Sequence, residues 1–201
     1  MDNFKKTIFS VPFRGNRNYN WGPDFIKPIL DYQTEYYKNN LENIIVKINR
    51  FSTKDIRICS EENLINFSEQ SLIGTIKFKN KNSIKRLLLF EENKISKLER
   101  IDFDEFDYLN KHLVSESKDG ILIRYSDHPL ALLVCANKHI LTKIFGLKTW
   151  TFASLKINTY PFKNLPFQIK YNYNITNKLY IADISQDEIK IGQIIFGVKE
   201  G

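Results

Sequence analysis

The segment from Pro129 to Gly146 has apolar residues at helical spacing, and its first half is apolar on every side. Pro129 suits the first turn of an α-helix, and Gly146 suits the left-handed position that often follows the last turn. Asp127 is the expected N-cap. Because a helix that is apolar all round has to be covered by protein on several sides, the sequence predicts one long buried helix at the centre of the fold.

Runs of alternating or continuous apolar residues surround this helix and are typical of β-strands. We expect strands at residues 7–13, 43–51, 55–59, 71–78, 83–90, 121–125, 151–160, 166–174, 179–184 and 188–198. Pro23 to Tyr37 should form an amphipathic helix, in which Pro28 either starts the helix proper or kinks it. These elements predict an α+β fold in which antiparallel strands wrap around long helices.

The same order of predicted elements, a strand, a loop, a helix and four strands, occurs twice along the chain. VKIN at Val46–Asn49 and LKIN at Leu155–Asn158 each follow a helix. Two further matches share the same spacing of about 110 residues, as expected for an internal repeat. They join DIRI at residues 55–58 to PFQI at 166–169, and IGTI at 73–76 to IADI at 181–184. We therefore expect a first repeat at residues 1–93, a connector at 94–119 and a second repeat at 120–201.

The chain carries a formal net charge of +7, and most of it falls in residues 1–100, which hold 18 Lys and Arg against 12 Asp and Glu. A basic half favours acidic partners such as nucleic acid, coenzyme phosphates or an acidic carrier protein, although solvated lysines would give the same balance. No run approaches the roughly 18 apolar residues of a membrane span, and the first apolar run ends too early for a signal peptide. Two cysteines, Cys59 and Cys135, indicate a reducing compartment, so we expect a cytoplasmic protein.

The order of a strand, a loop, a long buried helix and consecutive antiparallel strands resembles the hot-dog fold, and two copies in one chain resemble a double hot-dog. Hot-dog proteins are commonly thioesterases and 3-hydroxyacyl dehydratases that act on coenzyme A or acyl-carrier-protein thioesters, as in fatty acid and polyketide biosynthesis. The resemblance therefore implies an acyl-thioester-handling protein without a cofactor or metal, first of all a dehydratase. It also implies a chain that stands alone, forms a homodimer or pairs with a related subunit.

The resemblance places the thioester carbonyl near the N-terminus of a central helix, where free backbone N–H groups and the helix dipole would polarise it. A dehydratase of this fold usually carries a His just before this helix and an acid on the partner helix. His128 and Asp127 precede the second helix, while Gly22 opens the first one without a His. The implied composite site joins His128 to Asp31 or Glu35 of the first helix.

The segment RGNRNYNW at residues 14–21 is the most distinctive polar stretch of the chain. Arg14 and Arg17, with Tyr19 and Trp21, lie next to a predicted helix start, where they could hold a phosphate or carboxylate. Stacking combined with charge would equally suit single-stranded nucleic acid. The aromatic residues could also tie the loop down without any ligand.

Three functions follow from these alternatives. The first is an acyl-thioester enzyme. The second is a catalytically degenerate hot-dog subunit that binds or stabilises a partner, because the first half lacks the His and no acid follows His128 on the second helix. The third, less favoured, is a basic nucleic-acid-binding module. Among the remaining candidates, Cys135 is expected in the core and His112 on the surface, and His139 is too far along its helix to share a site with His128.

Overall fold

The computed structural model describes residues 7–15, 17, 19, 21–61, 71–95, 100–146, 148–176 and 178–198. The chain divides into two compact units, residues 1–103 and 104–201. The division falls just before a short helix, inside the segment that the sequence assigned to a connector.

One long helix and seven strands make up the described part of the first unit. The helix is α1 (Gly22–Tyr37), and the strands are β1 (Thr7–Phe9), β2 (Phe13–Arg14), β3 (Leu41–Ile48), β4 (Lys54–Ser60), β5 (Leu72–Asn80), β6 (Ser83–Ile95) and β7 (Arg100–Ile101). Five strands pair antiparallel in the order β1-β4-β6-β5-β3, while β2 and β7 form a short parallel pair. The hairpin predicted around residues 79–82 is therefore confirmed as β5 and β6.

Helix α1 begins at Gly22 and runs through Pro28. Of the two alternatives that the sequence left for Pro28, a helix that starts there is wrong, since a full turn precedes it. Lys38 ends the helix in the left-handed conformation and donates its N–H to the carbonyl of Glu35. One face is buried by side chains that recur at helical spacing, namely Phe25, Ile26, Ile29, Leu30 and Gln33.

The second unit has the short helix α2 (Glu105–Asn110), the long helix α3 (Pro129–Phe145) and six strands in its described part. The strands are β8 (Leu113–Glu116), β9 (Gly120–Ile123), β10 (Trp150–Tyr160), β11 (Phe167–Thr176), β12 (Leu179–Gln186) and β13 (Ile189–Val198). They pair antiparallel in the order β8-β9-β11-β12-β13-β10. Helix α3 contacts β9, β11 and β13, so the predicted α+β arrangement of antiparallel strands against a helix is confirmed.

Helix α3 is the long buried helix that the sequence predicted. Every residue from Pro129 to Asn137 is buried, and so are Ile140 and Leu141. Gly146 follows the last turn with a φ of 81° and donates its N–H to the carbonyl of Thr142. Within the described ranges, no helix is both long enough and apolar enough to cross a membrane.

The strand that follows the long helix makes the same contact in both units. In the first unit Ile48 of β3 pairs with Gly74 of β5, and in the second Ile157 of β10 pairs with Gly192 of β13. A Cβ on Gly74 would lie 2.5 Å from the Lys47 carbonyl oxygen, and one on Gly192 would lie 2.2 Å from that of Lys156. Only glycine permits backbones to approach this closely.

By sheet neighbours, IGTI at residues 73–76 thus corresponds to IGQI at residues 191–194, and not to IADI at residues 181–184 as the sequence spacing suggested. The reason is that the two units connect their neighbouring strands in a different order along the chain. In the second unit β11, β12 and β13 are successive neighbours, whereas in the first unit β4 lies beside β6 and β5 lies beside β3. A search at constant spacing follows chain order and therefore misses this correspondence.

We expect Gly74→Ala and Gly192→Ala each to lower the free energy of unfolding by about 1–3 kcal/mol, because the added methyl meets a backbone oxygen fixed by strand pairing. Urea denaturation followed by circular dichroism measures the change. Gly197→Ala is the matched control, since its Cβ would lie 3.2 Å from the Thr151 hydroxyl and no nearer than 3.7 Å to a backbone oxygen, that of Lys178. Equal stability of all three variants and the parent chain would contradict the close approach.

Candidate functional site

The N-terminus of α3 is built around His128, which lies at the N-cap position. The N–H of Ala131 donates to Nδ1 of the imidazole at 3.2 Å, and the N–H of Leu132 donates to the His128 carbonyl oxygen at 3.2 Å. The expectation that Asp127 caps this helix is wrong, since the imidazole takes that place and the side chain of Asp127 is exposed. His128 is half-buried.

The capping bond decides what His128 can do. In a neutral imidazole one ring nitrogen accepts and the other carries the proton, so Nδ1 as acceptor leaves the proton on Nε2. His128 therefore presents an N–H donor in this conformation. A role as general base would first require the cap to break. Pro129 has no N–H and Leu130 lies before the intrahelical bonds begin, so the positive end of the helix dipole lies beside the imidazole.

Helix α2 anchors the segment that leads into α3. The Tyr108 hydroxyl lies 3.1 Å from the Ser126 hydroxyl and donates to the His128 carbonyl oxygen at 3.4 Å. The Asp104 carboxylate caps α2 by accepting the N–H groups of Phe106 and Asp107. Tyr108 and Ser126 carry no signal in the sequence, because the tyrosine belongs to the predicted connector and its distance from residue 126 in the fold cannot be read from spacing.

His112 completes this polar cluster. Its ring packs edge-on against Tyr108 with centroids 5.2 Å apart, and it is half-buried, so the expectation of an exposed residue is wrong. Burial lowers the pKa of His112, and the positive charges of Lys111 and Arg124 lower it further against the opposing effect of Asp127. His112 is therefore neutral near pH 7.

The two proposed acids lie on the outer side of α1 in the first unit. Asp31 is 47% exposed and pairs with Lys27 at 2.7 Å, one helical turn away. Glu35 is exposed on the next turn of the same side. Both belong to the first unit, whereas His128 and Asp127 belong to the second.

The loop at the start of α1 is held by its own side chains. Arg14 pairs with the buried carboxylate of Asp24 at 2.6 Å, and its guanidinium lies 5.7 Å from the Trp21 ring centroid. Arg17 lies 5.1 Å above the same ring, and Tyr19 stacks on Phe51 at 4.3 Å. Trp21 is the N-cap residue and Gly22 is the first residue of α1. Because Asp24 compensates the charge of Arg14, this loop holds an anion less well than its composition suggests.

Each long helix also buries one amide side chain that the sequence did not single out. Gln33 of α1 is 1% exposed and Asn137 of α3 is 0% exposed. Neither amide has a hydrogen-bond partner within the part of the chain that the structure describes. An unpaired buried amide is costly, so its presence on both central helices marks a candidate contact to substrate. No sequence pattern reveals this, because the missing partner is a property of the fold.

Replacing the amides of Gln33 and Asn137 distinguishes a role in the stability of the fold from a role in substrate binding. Asn137→Leu and Gln33→Met are expected to raise the free energy of unfolding by about 1 kcal/mol, since each removes an unsatisfied buried polar group. If the amides contact substrate, the same variants lose thioester binding or turnover. Thermal unfolding and thioester binding are measured side by side. Destabilised variants that still bind normally would mean that the amides serve the fold alone.

His112 generates a pH prediction with a defined sign. Its pKa in the folded protein lies below the ordinary value of 6.5, so the unfolded chain binds the proton more tightly. The stability that neutral His112 contributes is complete above about pH 6.5 and is lost as the pH falls. We expect the free energy of unfolding to fall between about pH 7 and pH 5, and less steeply in His112→Gln. Identical slopes in the two proteins would contradict this assignment.

No protein-family model and no curated protein matches the chain. Among solved structures, a tesB protein of Mycobacterium avium subspecies paratuberculosis is similar with a TM-score of 0.55 at 7% identity, over 97% of this chain and 93% of that one. A candidate thioesterase II from Thermobifida fusca gives 0.50 at 10% identity, over 92% and 88%. A candidate thioesterase from Novosphingobium aromaticivorans gives 0.50 at 8% identity, over 97% and 96%.

At such identities the likeness concerns the backbone. The similar structures span nearly the whole chain, as the sequence resemblance also did. The second unit itself has a long buried helix that is followed along the chain by four antiparallel strands. Taken together, these observations show that the chain has the hot-dog fold.

Proposed function

We propose that this chain binds an acyl thioester with its carbonyl at the N-terminus of α3 and promotes attack on that carbonyl. The observation that carries the proposal is the His128 cap, whose Nε2–H lies at the positive end of a buried helix dipole. An N–H donor and a helix N-terminus both stabilise negative charge that develops on a carbonyl oxygen. The three similar structures include one thioesterase II candidate and one further thioesterase candidate, which favours the same substrate class.

Hydrolysis is the reaction that this geometry favours. Water adds to the thioester carbon, the carbon–sulfur bond breaks, and the thiol leaves with a proton while the free acid forms. His128 and the Leu130 N–H would hold the oxyanion. The proton of the water passes to a base, for which Asp31 and Glu35 stay the candidates predicted from the sequence. Asp127 is exposed beside the cap, so it could orient the thioester or its carrier.

Dehydration of a 3-hydroxyacyl thioester, which the sequence resemblance put first, is the second candidate. It requires a base that removes a proton from the carbon next to the carbonyl. His128 becomes such a base only when Nε2 loses its proton, which the bond from Ala131 to Nδ1 opposes. A chain that binds the thioester without turnover would be the degenerate subunit. The pairing of Arg14 with Asp24 counts against the nucleic-acid module, because it removes one of the two loop charges.

We also infer that the two units are tandem hot-dog-like repeats. The support is the shared order of a long helix, a strand and the isoleucine–glycine pairing in each unit. Four further predictions come from the sequence. They are coenzyme A or acyl carrier protein as the thioester carrier, a role in fatty acid or polyketide biosynthesis, a homodimer or a related partner subunit, and a cytoplasmic location.

His128→Asn tests the proposal, because asparagine keeps an N-cap acceptor while the Nε2–H is lost. The chain is incubated with saturated, 3-hydroxy and 2-enoyl thioesters on coenzyme A and on a carrier protein, and products are read by intact mass. We expect release of free acid, a loss of about 10²–10³-fold in kcat for His128→Asn, and an unchanged unfolding midpoint.

Asp31→Asn and Glu35→Gln identify the base, since only the variant of the true base loses activity. The Lys27→Ala variant is their control, because it removes the ion pair of Asp31 and leaves both carboxylates. Turnover that survives in His128→Asn, or silence across the whole panel, would contradict the proposal. Loss or gain of water without free acid would assign dehydration instead.

A further inference from the structure

The sheet of the first unit carries a groove on the face that includes Ile45 and Lys47. Its main cavity has a volume of about 580 Å³ and is lined by residues of β3, β4, β5 and β6, by Tyr37 of α1 and by Glu61 after β4. Four of its side chains are cations, Lys47, Lys77, Lys85 and Arg86, against one acid, Glu61. A cleft with this balance attracts anions.

Strand register concentrates these charges. Lys77 lies directly opposite Arg86 on the neighbouring strand, and like charges in that position repel. Arg86 pairs with Glu61 at 2.7 Å, but Lys47 and Lys77 have no acidic partner within the described ranges. Both lysines are exposed, so water screens their repulsion, and an anion that contacts them gains the attraction of several cations at once.

The groove continues past the turn between β5 and β6. A second cavity of about 550 Å³ shares Tyr37 and Lys85 with the first and adds Lys81 and Asn80. Asn80 is 5% exposed, and its Nδ2 has no acceptor among the residues that the structure describes. An unpaired buried donor at the wall of a basic groove is satisfied when a ligand supplies an oxygen.

We propose that this groove binds a nucleoside diphosphate or a ligand that contains one. Two phosphates match the number of unneutralised lysines, and each offers acceptors for ammonium, guanidinium and amide donors. Tyr37, Ile45 and the exposed Ile84 supply ring and apolar surface for the organic part, which inorganic phosphate would not use. The groove lies wholly in the first unit, so the inference stands apart from the chemistry at His128.

Isothermal titration of the full chain with ADP, pyrophosphate and adenosine tests the inference. We expect ADP to bind more tightly than either fragment, and its affinity to fall with rising salt. Lys47→Glu should weaken ADP binding at least about tenfold. Lys156→Glu is the matched control, because Lys156 occupies the same strand position in the second unit and the change in net charge is identical. This control should change the affinity less than about twofold.

Coenzyme A, which contains an ADP group, distinguishes the two sources of the ligand. Tighter binding of coenzyme A than of ADP, lost in Lys47→Glu, would assign the groove to the nucleotide end of a thioester carrier. Equal binding of the two would assign it to a free nucleotide. Absence of ADP binding, or equal effects of Lys47→Glu and Lys156→Glu, would overturn the inference. A failed thioester screen leaves this result unaffected, so the two proposals fail separately.

Discussion

Burial of α3 is the constraint on which the second unit depends. A helix whose first nine residues are all buried leaves no side for solvent, so β9, β11 and β13 have to cover it. Such a helix can hide its apolar atoms but not the free N–H groups of its first turn. The His128 imidazole satisfies one of them, and this is why a titratable side chain lies at the start of the apolar half of α3.

Helix α3 links the stability of the second unit to its proposed function. The cap fixes the tautomer of His128, the dipole sets the sign of the field beside it, and Tyr108 holds the preceding segment in place. Asn137 breaks the apolar pattern inside the helix without a partner in the described chain. Residues that lower the stability of the fold in this way are often retained because they contact a ligand. Helix α3 is therefore both the core of the second unit and a candidate ligand-binding element.

Hydrophobic spacing predicted both long helices and most strands to within a few residues, because burial of one face leaves a period that sequence preserves. The cap was predicted at Asp127 because carboxylates are the commoner caps, whereas the choice between adjacent residues depends on backbone dihedral angles. The match of residues 73–76 to 191–194 was not predicted, because corresponding strands of the two units follow one another in a different order along the chain. The buried amides of Gln33 and Asn137 escaped it because polarity in a sequence does not say whether a partner is present.

The proposed function requires a thioester carbonyl at the N-terminus of α3. A crystal structure of the chain with a non-hydrolysable thioester analogue tests it most directly. We expect the carbonyl oxygen within hydrogen-bond distance of His128 Nε2 and of the Leu130 N–H, with Ala131 still donating to Nδ1. An analogue bound elsewhere, or a His128 ring turned out of its cap to face the substrate as a base, would contradict it.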